Sequence, residues 1–87
     1  MDVQARLDAL LAVAEQLGIE IRRVPLGGEG GGLCSLRGQR VLFVDASADT
    51  ATRYDKTVDA MARLPELQDQ YLPPLVREDL ERAAGEK

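Results

Sequence analysis

Imidazole is missing from this chain: its 87 residues include no histidine, and Cys34 is its one cysteine. Histidine titrates nearest to neutral pH, so general-base, nucleophile-partner and proton-shuttle chemistry lose their usual agent. A Cys/His zinc centre cannot be assembled within one chain from a single thiol. What remains are carboxylates. Asp45, Asp55 or Asp59 could hold a hard cation such as magnesium, giving a carboxylate-based hydrolase. The spacing also allows a simpler account of Asp55, Asp59 and Glu66, in which Arg53, Lys56 and Arg63 pair with them on a solvated helix face.

Two short runs resemble ligand loops. Asp45-Ala46-Ser47-Ala48-Asp49 has the alternating oxygen ligands that open a calcium loop, but Thr50 stands at the sixth position, where Gly makes the turn, and Lys56 at the twelfth, where a bidentate Glu belongs. A strand end followed by a helix cap explains the same residues. Gly27, Gly28, Glu29, Gly30, Gly31 and Gly32 suggest a phosphate cradle, yet the spaced dinucleotide fingerprint and the P-loop Lys and Ser/Thr are absent, and Glu29 would repel an anion. A strand, not a helix, is expected next. The run therefore reads as a flexible connection or a peptide-contacting edge, and Gly28, Glu29, Gly30, Gly31, Leu33 and Ser35 are the candidate partner-binding residues.

The elements that must position these residues follow from periodicity. Val3, Leu7, Leu10, Leu11, Ala14 and Leu17 recur at helical spacing, with Asp2 as N-cap and Gly18 as terminator. Ile19 to Val24 is rich in branched residues and reads as a strand stopped by Pro25. Leu33 to Leu36 and Arg40 to Val44 form a hairpin around Arg37-Gly38-Gln39, and the unbroken run Val41-Leu42-Phe43-Val44 marks the central strand. Cys34 is expected to be a small buried hydrophobe within its strand. Ser47 caps a second helix with Asp49 in its first turn; Tyr54, Val58, Met61 and Leu64 form its buried stripe, and Pro65 closes it. Tyr71-Leu72-Pro73-Pro74-Leu75 lacks the spaced second proline of a PxxP ligand and instead enters a last helix, Leu75 to about Ala84. Val76, Leu80 and Ala83 face inward there, and residues 85–87 fray.

These elements describe one α+β domain over residues 1–87: an N-terminal helix, a small three-stranded sheet with a hairpin, and two C-terminal helices. With one Phe, two Tyr and no Trp, its core must be aliphatic. The net charge of −4, with arginines scattered among acids, argues against a phosphate-tracking face and so against nucleic-acid binding. No apolar run is long enough to cross a bilayer, and the start of the chain lacks the basic and apolar regions of a secretory signal. A cytoplasmic protein is therefore the default expectation; the unpaired cysteine suits a reducing compartment and would equally fit an intermolecular bridge.

The wording Leu17-Gly18-Ile19-Glu20-Ile21-Arg22, Pro25-Leu26-Gly27-Gly28, Gly32-Leu33-Cys34 and Arg40-Val41-Leu42-Phe43-Val44-Asp45, in this order of elements, resembles the ImmA/IrrE family of zinc metallopeptidases over about residues 7–64. In that family the helix after the hairpin carries H-E-x-x-H, two zinc-binding imidazoles and a water-activating Glu. Here that helix reads Val58-Asp59-Ala60-Met61-Ala62-Arg63, which puts Asp59 and Arg63 at the histidine positions and Ala60 at the glutamate. An Asp59–Arg63 pair could hold that helix face by charge. The resemblance thus implies a degenerate relative with no zinc, no cofactor and no peptidase activity, which keeps the hairpin edge beside the former cleft. The expected function is a non-catalytic interaction or regulatory module that binds a protein partner or self-associates, for instance as a homodimer. The alternatives are the magnesium-dependent enzyme above and a structural subunit of a larger assembly.

Overall fold

The computed structural model describes residues 1–28 and 31–85. Helix α1 (Val3–Gln16) starts where Asp2 accepts a hydrogen bond from the Ala5 N–H at 2.7 Å. It stops at Gly18, whose φ of +81° turns the chain back so that Gly18 donates to the Glu15 carbonyl and Ile19 to the Ala14 carbonyl. This paired closure satisfies the last carbonyls and delivers Ile19 directly to the core. Leu7, Leu10, Leu11, Val13 and Ala14 are buried, whereas Val3, expected on the same face, lies exposed in the first turn.

Strands β1 (Glu20–Val24), β2 (Gly31–Leu36) and β3 (Gln39–Asp45) form one sheet in the order β1-β3-β2. The apolar run is central, as its composition requires, pairing parallel with β1 (Ile21 beside Leu42) and antiparallel with β2 (Leu33 beside Leu42). The hairpin turn is tighter than expected, with Arg37 and Gly38 alone outside the ladder at φ +53° and +81°. Left-handed geometry at both central positions matches the natural twist of a two-residue hairpin.

Helix α2 (Thr50–Met61) begins two residues later than the sequence suggests. Asp49 is the N-cap, accepting from the Thr52 N–H at 2.8 Å, while the Ser47 N–H is itself held by Asp45. That backbone bond holds the Asp49 carboxyl below its ordinary range. The helix ends at Met61, so Leu64 packs on the core from beyond it, and Pro65 opens a 3₁₀ turn (Pro65–Asp69) instead of closing the helix. Helix α3 (Pro74–Gly85) buries Val76 and Leu80, with Ala83 packed beside them; it includes Gly85, which the sequence assigns to a frayed end. Glu86 and Lys87 lie outside the described residues.

Helix α2 is the hub, packing on α1, α3, β2 and β3. Leu42 and Val44 of β3 join the buried side chains of all three helices in one cluster, with Ile21 and Leu33 packed against it. The helices therefore cover one face of the sheet. Because strand side chains alternate, Arg22, Cys34, Leu36, Val41 and Phe43 fall on the other face, on which none of the described helices packs; Val41 is buried there, while Cys34 and Leu36 are exposed. Among the described residues no helix is long and apolar enough to cross a membrane.

Candidate functional site

The carboxylates named from the sequence do not converge. Asp45 ends β3 and is fully buried; its Oδ1 accepts from the Leu26 N–H and the Ser47 N–H, both at 2.8 Å. It thereby fixes the chain leaving β1 and the turn entering α2. Asp55 and Asp59 are exposed on α2, and Glu66 pairs with Arg40 of β3 at 2.8 Å instead of with a helix neighbour. The expected Asp59–Arg63 pair does not form either, since Arg63 lies past the last helical residue. Among the described residues no group of three or more His, Cys, Asp or Glu side chains is placed to hold a metal ion.

The structure does assemble one polar cluster that the sequence gives no sign of. Asp79 of α3 accepts from the Tyr54 hydroxyl at 2.6 Å, from Arg6 of α1 at 3.2 Å and from Arg82 at 2.9 Å. These groups border a hollow of about 480 Å³ between the three helices. The Tyr54 hydrogen bond, with Arg82 and Arg6 alongside, keeps the Asp79 carboxyl below its ordinary range, while burial and that same carboxylate push the Tyr54 hydroxyl up. A carboxylate that already holds three donors is a poor base, and a phenol held in its neutral form is a poor nucleophile. The cluster acts as a bolt joining α1, α2 and α3. Apart from Arg82, one helical turn on, its members Tyr54 and Arg6 are 25 and 73 residues from Asp79 in sequence, so no local pattern announces the cluster.

The remaining candidate is the free edge of β2. In a two-residue hairpin the pair flanking the turn exchanges both hydrogen bonds, so Leu36, Cys34 and Gly32 bond to β3 while the N–H and C=O groups of Ser35 and Leu33 point away from it. The candidate residues Gly31, Leu33 and Ser35 all lie on this strand, and Gly28 lies in the connection before it; Glu29 and Gly30 fall outside the described residues. Gly31 has φ +103°, and a Cβ there would run into the Phe43 carbonyl oxygen, so glycine is required for the strand to approach β3. Gly32 borders open space.

Two shallow hollows straddle this edge. On the face away from the helices an apolar one of about 410 Å³ is lined by Leu26, Gly31, Gly32, Leu33, Cys34 and Phe43. On the helical face a second lies between Gly31, Gly32, Leu33 and the α2 residues Lys56, Asp59 and Ala60. Cys34 is exposed, contrary to the sequence expectation. It pairs with Val41, one residue out of phase with the core-facing Leu33–Leu42 pair, so the register turns its side chain to the face away from the helices. Compared with known proteins, the chain matches no family model, no curated protein and no solved structure.

Proposed function

We propose that this protein is a non-catalytic interaction module of the cytoplasm that docks an extended chain along the free edge of β2, on a scaffold resembling a metallopeptidase without its metal-binding helix motif. The supporting observation is the contrast between the two edges of the sheet. β1 carries Glu20, Arg22 and Arg23 and is followed by Pro25, features that discourage strand addition; β2 reads Gly-Gly-Leu-Cys-Ser-Leu, with neither charge nor proline. An unguarded edge with outward N–H and C=O groups at Leu33 and Ser35 suits main-chain recognition of a strand, with hollows on either side for its alternate side chains. The net charge of −4 favours a protein partner over a nucleic acid.

The test is Ser35→Pro. Proline removes the outward N–H at Ser35 while the ladder bonds of Cys34 and Leu36 to β3 remain. Association is read in two ways: sedimentation of the full chain, and capture of displayed short random peptides by immobilised protein. At least one should register with the wild type and disappear with folded Ser35→Pro, and Glu81→Ala on α3 should leave it unchanged. Association that survives in folded Ser35→Pro, or its absence from both measurements with the wild type, overturns the reading.

A further inference from the structure

We infer that the strand received by the β2 edge is the β2 of a second copy, paired antiparallel about a two-fold axis at Cys34. The inference rests on the edge-docking reading above and names its partner. Antiparallel pairing through the outward groups permits few registers. With the axis at Cys34, Leu33 of each copy exchanges N–H···O=C bonds with Ser35 of the other, and Cys34 faces its own counterpart in a non-hydrogen-bonded pair.

The side chains are self-complementary in this arrangement. On the face away from the helices, Leu36 lies opposite the partner's Gly32. Leu36 is 43% exposed, a large apolar side chain with no cover in one chain. Gly32 leaves open space beside Phe43 and Leu26, the latter 41% exposed. Each leucine therefore enters the apolar hollow of the other copy, and two exposed apolar groups per chain lose their contact with water together. On the helical face, Lys56 and Asp59 border the same edge, opposite in sign and three residues apart on α2. A two-fold axis turns that pair into reciprocal Lys-to-Asp contacts, and Ala60 beside them gives the two α2 helices room to approach. The result is a continuous six-stranded sheet in which neither β2 is an edge. Guarding of β1 and not of β2 then has a single explanation, since β1 remains the outer strand.

The position of Cys34 supplies the test. Directly opposed residues of a non-hydrogen-bonded antiparallel pair have Cα atoms about 4.5 Å apart, within the range a disulfide spans. In reducing buffer the full chain is expected to sediment at twice its 9.5 kDa mass as its concentration rises through the micromolar range. Leu36→Glu and Ser35→Pro should each raise the dimer dissociation constant about tenfold or more. Diamide, which takes up the two electrons and two protons released as two thiols become one disulfide, should convert the dimer to a covalent one, and Cys34→Ala should not react in this way. Should Ser35→Pro fail to fold, Leu36→Glu and the cross-link decide the matter. A wild-type chain that stays monomeric at all these concentrations, or a dimer that neither forms the Cys34 disulfide nor weakens with Leu36→Glu, overturns the inference. A monomer that captures peptides in a Ser35→Pro-sensitive way overturns the second copy as partner and retains the edge as the dock; absence of both associations removes both.

Discussion

Single residues in this protein matter through what their surroundings leave no room for. Gly31 combines a left-handed φ with contact against the Phe43 carbonyl, so Gly31→Ala is expected to cost about 2 kcal/mol or more, read as a lower urea midpoint at unchanged slope. Gly32→Ala, one residue on and facing open space, should leave the fold intact. Cys34 is exposed, so Cys34→Ser should change stability by less than about 0.5 kcal/mol. Asp79 contributes to the acid dependence, alongside the capping Asp49. Its folded pKa lies below the unfolded one, so the Tyr54 and arginine contacts stabilise fully above about pH 4 and are lost as the pH falls through the folded value. Asp79→Asn should cost ~1–2 kcal/mol at neutral pH. The gap between variant and wild type in urea midpoint should then close on acidification. Tyr54 works with the opposite sign: its raised pKa makes stability fall as the pH rises through about 10, where the unfolded phenol ionises, and Tyr54→Phe should abolish that alkaline loss.

At the scale of elements, what the sequence reveals is whatever one segment decides alone. The α1 cap and its glycine stop, the central apolar strand and the proline-led α3 are written within a few residues each, and the structure has them all. The start of α2 is different, because Ser47 and Asp49 are equally good caps in isolation. The choice falls to Asp45, which engages the Ser47 N–H and leaves Asp49 to cap. The exposure of Cys34 is likewise a property of register, and a six-residue strand whose first two residues are glycines shows too little alternation to reveal its faces. Of the candidate site, the β2 residues could be named from the glycine run and the hairpin. Which of their N–H groups point outward could not, since that follows from the two-residue turn. The turn itself carries a testable strain: Arg37 occupies left-handed geometry that asparagine adopts more readily. Arg37→Asn should raise stability by roughly 0.5 kcal/mol in chemical denaturation, and Gly38→Ala should lower it by about 1 kcal/mol.

The whole molecule is a two-layer structure with its layers unequally finished: three helices seal one face of the sheet, and among the described residues no helix packs on the other, where Cys34 and Leu36 stay exposed. The sealed side determines whether the C-terminal quarter is an appendage. The helix, three-stranded sheet and second helix are complete by Leu64, which would suggest that the 3₁₀ turn and α3 are dispensable. The packing contradicts that suggestion. Leu67, Leu72, Val76 and Leu80 are buried in the same cluster as Leu10 and Leu42, Arg77 holds the Leu67 and Gln70 carbonyls, and Asp79 bolts α3 to α1 and α2. Burial of a large aliphatic side chain stabilises by roughly 1.5–3 kcal/mol, so Leu72, Val76 and Leu80 together are comparable with the ~5–15 kcal/mol that holds a whole domain folded. A chain ending at Gln70 is therefore expected to lose cooperative unfolding and amide dispersion in a proton–nitrogen correlation spectrum. A truncated chain that instead kept a sharp thermal transition would show that α1, α2 and the sheet form a sufficient core, and that α3 is a covering added to it.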